Sequence, residues 1–267
     1  YSIGSINPSA LPRFECQFRP NLTDTNQDNR PSAFDNSEIC SGPRPQQPPI
    51  ALTPRCAHCL AAVANVDEVR QLSSLPETET ELRAMAQYLG ADDDAIFLRE
   101  RATESQVKSV ILNQSKVVAF STHGLVSGEL RGLAEPALVL TPPDKGTEYD
   151  DGLLTASEVT QLQLDADWVI LSACNTAAGD KPGATGLSGL AKAFFYAGAR
   201  ALLVSHWPVE SNAATALTTN MFQMLKQNPM IGRAEALRQS MMTLASNPHT
   251  AHPFFWAPFV VVGEGGN

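Results

Sequence analysis

From residue 77 onward, apolar positions recur in two alternating rhythms. Leu82, Met85, Ala86 and Leu89 fall on one face of a helix spanning 77–89, with Gly90 as its C-terminal stop. A short strand over 95–98 follows. Thr103 then caps a helix over 103–112 that turns Val107, Val110 and Ile111 inward. Unbroken apolar runs predict buried strands at 116–121, 167–172 and 201–205. Further strands are expected at 137–140 and 256–262. Helices are expected at 187–197, 209–225 and 233–245, and Thr155-Ala156-Ser157-Glu158 forms a capping box that opens another. Strands alternating with helices of this length predict a doubly wound, mainly parallel α/β sheet with helices on both faces. The strands at 95–98, 116–121, 167–172 and 201–205 are expected to be neighbours.

Residues 1–74 carry no such rhythm. Nine prolines between Pro8 and Pro54 interrupt any regular element. The expected organisation is therefore an irregular Pro- and Cys-rich segment over 1–74 and a folded domain over 75–267. Residues near Gly4 to Pro8 are a candidate first sheet strand. Four of the five cysteines, Cys16, Cys40, Cys56 and Cys59, lie in the irregular segment. They can form two disulfides, a zinc site using the Cys56-Ala57-His58-Cys59 half-site, or remain free thiols. Disulfides would imply a periplasmic or exported protein and free thiols a cytoplasmic one. The chain starts at Tyr1, without Met or a signal-peptide core, which suggests a fragment or a processed product.

Lys and Arg total 19 against 28 Asp and Glu, for a net charge of −9. Basic residues do not cluster, so nucleic acid is not an expected partner. No apolar run approaches the length of a membrane-spanning helix. The chain lacks phosphate-binding glycine motifs, and Gly186-Leu187-Ser188-Gly189-Leu190 misses the nucleophile-elbow spacing by one residue. No cofactor or catalytic metal is expected.

Chemistry concentrates at two strand ends. His123-Gly124 follows the run at 116–121, and Cys174 follows the run at 167–172, 51 residues later. Loops beyond the carboxyl ends of parallel strands form the reactive edge of such a sheet. A thiol and an imidazole delivered to one rim make a nucleophile and its proton partner. The N–H groups of Gly124 and Cys174 are candidate donors to an oxyanion, since Gly124 has no side chain to obstruct the approach. Ser205, His206 and Trp207 follow the next strand and should reach the same rim, where the indole could wall a side-chain pocket. His249 and His252, in a late Pro-containing loop, are read as structural.

Five segments, in order, resemble the CHAT domain, a caspase-like clan CD cysteine peptidase family related to separases and caspases. They are Ser121-Thr122-His123-Gly124, Asp151 to Ala156, Leu171 to Thr176, Gly198-Ala199-Arg200 running to Trp207-Pro208-Val209, and Phe255 to Phe259. The spacing of His123 and Cys174 fits the caspase pattern, in which the histidine lies about 50 residues upstream. The resemblance implies a caspase-type sheet, His123 and Cys174 as a catalytic dyad, a protein or peptide substrate, and frequent fusion to upstream TPR or sensor regions.

Arginine-specific relatives often carry an acid two residues before the cysteine, where this chain has Ser172. A pocket lined by Ser172 and the Trp207 region predicts a neutral residue before the cleaved bond, and Glu210 or Asp180 is the alternative source of a basic preference. The glycine-rich segment 175–186 is expected to act as an activation loop. The leading function is a regulated endopeptidase. The alternative is a catalytically idle CHAT module acting as a scaffold.

Overall fold

A computed structural model describes residues 2–6, through their backbone, and residues 63–174, 176–177 and 189–264. In chain order the elements are β1 (Ser2–Ile6), α1 (Val66–Arg70), α2 (Glu77–Leu89), β2 (Ile96–Leu98), α3 (Glu104–Ser109), β3 (Val117–Ser121), β4 (Gly124–Leu125) and β5 (Ala137–Val139). They continue with β6 (Leu153–Thr155), α4 (Ala156–Val159), β7 (Trp168–Ser172), α5 (Gly189–Ala197), β8 (Ala201–Ser205), α6 (Ser211–Gln227), α7 (Arg233–Ala245) and β9 (Phe259–Gly263). Cys16, Cys40, Cys56 and Cys59 lie outside the described residues, as does most of the 175–186 loop.

The main sheet has the order β2-β1-β3-β7-β8-β9. β3, β7 and β8 pair in parallel, while β1 pairs antiparallel with both β2 and β3, and β9 antiparallel with β8. Four of the six strands therefore run the same way. The expected adjacency of β2 and β3 is corrected. β1 lies between them, paired along its full length with Val117–Ser121. An antiparallel strand contributed by the first residues of the chain gives no alternation signal with its distant partners.

The helices cover both faces, and strand alternation assigns each side chain to one of them. Val118, Phe120, Val169, Leu171, Leu202 and Val204 pack with α3, α4 and α5. The intervening Val117, Ala119, Trp168, Ile170, Ala201 and Leu203 pack with α2, α6 and α7. Each central strand is buried on both sides, which is why these runs read as continuously apolar. Gly90 ends α2 in the left-handed conformation, at φ 71°, as its position after Leu89 predicts. α3 stops at Ser109 because Val110 turns extended, so Ile111 faces solvent at 65% exposure instead of entering the core.

A second sheet, β4-β5-β6, is entirely antiparallel. It begins immediately after β3. Its last strand runs into α4, where Thr155 and Glu158 form the predicted capping box. No described helix is long and apolar enough to cross a membrane.

Candidate active site

Ser121 pairs with Ser172 where β3 runs parallel to β7. His123 and Cys174 each lie two residues beyond that pair. Equal offsets from a parallel register place both at one rim of the sheet, on neighbouring strands. The pairing continues past the strand ends, with the Thr122 N–H donating to the Ser172 carbonyl at 3.3 Å.

The His123 backbone is held where the two sheets meet. The Thr122 hydroxyl donates to the Val139 carbonyl at 2.5 Å, and the Val139 N–H donates to the His123 carbonyl at 2.9 Å. The Asp151–Ala156 segment supports this joint through β6, which pairs with β5 from Ala137 to Val139. Asp151 itself accepts the Ala64 N–H at 2.6 Å and the Leu153 N–H at 3.0 Å. Burial of the Asp151 carboxyl pushes its pKa above the usual range.

The imidazole Nε2 lies 2.7 Å from the Ser73 carbonyl oxygen. A carbonyl only accepts, so Nε2 carries the proton, and in the neutral ring Nδ1 is the basic nitrogen. Cys174 is a free thiol, half-buried at the rim.

Ser205, at the end of β8, clamps the turn that carries Cys174. Its hydroxyl donates to the Ala173 carbonyl at 2.6 Å, its N–H to the Thr176 hydroxyl at 2.9 Å, and its carbonyl accepts the Ala177 N–H at 2.7 Å. Gly124 closes the other side. A Cβ on that residue would lie 2.3 Å from the Cys174 carbonyl oxygen. The close approach of the two strand ends thus requires glycine at 124 for space.

The remaining candidates are distributed along the same edge. Ser172 is buried. His206 is exposed, and its N–H donates to the Pro258 carbonyl at 3.0 Å. The Trp207 indole N–H donates to the Phe254 carbonyl at 3.3 Å, which ties it to the Phe255–Phe259 segment. Glu210 caps α6: its carboxylate accepts the Asn212 N–H at 3.1 Å and the Ala213 N–H at 2.8 Å. Partial burial works against that carboxylate, but these amide bonds hold its pKa below the usual range. His252 caps the turn before Phe254 through Nδ1. No cluster of metal-ligating side chains occurs among the described residues.

A family model of the CHAT domain matches residues 11–264. The chain belongs to the CHAT domain family. CHAT domains are caspase-like peptidases in their family relationships. The chain is also 30% identical, over 224 residues, to mouse tetratricopeptide repeat protein 28 and to its human counterpart. The match covers 71% of the chain but only 9% of the mouse protein and 8% of the human one.

The rim of this CHAT domain contains two elements with no obvious sequence signal. One is the Ser73 carbonyl, because a backbone acceptor can come from any residue type. The other is Glu81 of α2, whose side chain is 2% exposed. Its one clue is a charged residue beside Leu82 on the helix's apolar face. The Ser121 hydroxyl bonds Glu81 Oε2 at 2.7 Å, the Thr218 hydroxyl lies 2.7 Å from Oε1, and Ser172 is a further partner. Burial raises the Glu81 pKa above its ordinary 4.5, despite these hydroxyls.

Two outcomes are expected. Gly124→Ala should separate the two strand ends and reduce Cys174 reactivity by about 10²-fold, as misplacements of about 1 Å do; site-resolved alkylation kinetics measure this. Glu81, with its raised folded pKa, binds its proton more tightly in the folded state. Its contribution to stability is thus complete below pH 4.5 and declines as pH rises through the folded value. Urea midpoints at pH 5 and pH 8 should therefore fall with pH more steeply in the wild type than in Glu81→Gln.

Proposed function

We propose that this CHAT domain is a cysteine endopeptidase that cuts a protein partner through His123 and Cys174. The observation that carries the reading is the Ser121–Ser172 register, which brings an imidazole and a thiol to the same rim. In the proposed reaction, Nδ1 of His123 takes the thiol proton and the Cys174 thiolate attacks the scissile carbonyl. The N–H groups of Gly124 and Cys174 stabilise the resulting oxyanion. His123 then protonates the departing amine, and water hydrolyses the thioester. No cofactor takes part.

The substrate lies extended beside Ser205–Trp207, where backbone pairing supplies affinity and side-chain pockets supply choice. Ser172 and the Trp207–Phe254 contact are neutral, and the Glu210 carboxylate is engaged as the α6 cap. This supports a neutral residue before the cleaved bond. The mouse and human relatives are named for tetratricopeptide repeats, and an upstream repeat region is the proposed source of regulation. The segment 175–186 remains the proposed activation loop.

Cys174→Ala should abolish cleavage of a cognate substrate, and His123→Ala should slow it by about 10²–10⁴-fold, the range for loss of a general acid–base group. Circular dichroism should show both variants folded. Full activity in His123→Ala would refute the dyad. Matched peptide electrophiles should label Cys174 faster with leucine at the first position than with arginine. An arginine preference lost in Glu210→Gln would reverse the specificity reading.

A further inference from the structure

Glu81 connects four elements at the rim. Its carboxyl belongs to α2, Ser121 and Ser172 end β3 and β7, and Thr218 belongs to α6. The two serines are paired directly across the ladder. Each lies two residues before His123 or Cys174. The carboxyl is thus bound to the last rung below both groups, on the α2 and α6 side of the sheet.

The hydroxyl of Thr218 has one proton and three acceptors in reach. Besides Glu81 Oε1, the Ala214 carbonyl is at 3.0 Å and the Thr215 carbonyl at 3.2 Å. Glu81 Oε1 is the nearest of the three, and the Thr218 hydroxyl donates to it. The carboxyl thus accepts from hydroxyls on β3 and α6 and ties the two elements together.

The same helix also fixes the imidazole. α2 begins four residues after Ser73, and the Thr78 hydroxyl anchors its first turn to the Leu75 carbonyl at 2.7 Å. One helix therefore supplies both the support beneath the strand ends and the approach of the carbonyl that orients His123.

We propose that Glu81 is a positioning residue for the His123–Cys174 site, in which one buried carboxyl group locks the paired strand ends against α2 and α6. The inference rests on the dyad reading, so its test includes a control for that reading. The full-length chain is alkylated with iodoacetamide, and the rate is followed by mass spectrometry at the peptide that carries Cys174. His123→Ala should slow this reaction. Glu81→Leu should slow it by about 10–10²-fold, the scale of a misplacement near 1 Å. Glu81→Gln, which keeps the shape and the hydrogen bonds, should restore most of the rate.

Thermal melts establish whether each variant is folded. If Glu81→Leu does not fold, the Ser121→Ala/Ser172→Ala double variant removes the strand-end contacts of Glu81 while keeping that to Thr218, with little change of volume, and carries the same expectation. A wild-type rate in either folded variant, with His123→Ala slow, overturns the positioning role and leaves the dyad standing. Slowing confined to peptide electrophiles, with iodoacetamide unaffected, overturns it in favour of a pocket role. A Gln variant as slow as Leu overturns the hydrogen-bonding basis of that role. If His123→Ala reacts at the wild-type rate, the dyad fails and this inference fails with it.

Discussion

The pairing of Ser121 with Ser172 is the constraint on which the rest of the rim depends. Parallel strands deliver equal offsets to equal heights, so one register decides whether two loops meet. A slip of one residue would turn every side chain of β3 to the opposite face and exchange Val118 and Phe120 with Val117 and Ala119. Both faces of these strands are buried, so such a slip would misplace side chains in two cores at once. The hydrophobic core thus enforces the geometry of the polar edge.

Around that register, neighbouring elements act as clamps. The small sheet holds the His123 backbone through Val139, β8 holds the Cys174 turn through Ser205, and α2 reaches both strand ends through Glu81. The bonds include side chain–backbone, backbone–backbone and side chain–side chain contacts. They fix position while leaving the thiol half-buried at the rim. Gly124 makes the approach possible, since any side chain there would collide with the carbonyl of Cys174.

The five segments that resemble the CHAT family do not all belong to this rim. Asp151–Ala156 builds the strand and capping box behind β5. Arg200 lies at the opposite end of the sheet, bonded to Asp165 at 2.5 Å and to Asp167. Phe255–Phe259 returns to the reactive edge, where Phe259 pairs with Ser205. A motif that identifies the family can therefore serve the scaffold as readily as the chemistry.

Local pattern was enough to locate most elements. α2, β8 and α7 match their expected bounds, and the 155–158 capping box is as predicted, because helix periodicity, caps and unbroken apolar runs are short-range properties. The positions of His123 and Cys174 after their strands were equally legible, since strand ends and small flanking residues lie within a few positions of each. Three features were not. A candidate strand near Gly4 could be named, but the place of β1 between β2 and β3 could not, because no alternation links it to either. Ser73 contributes a backbone carbonyl, which every residue possesses. Glu81 is a helical glutamate like many others until α6 and two strand ends enclose it. Sequence by itself determined which residues could react and which faces must be buried, because those depend on side-chain type and spacing. Only the tertiary structure decided what holds them together, because hydrogen bonds between distant segments depend on which surfaces the packed sheet brings into contact.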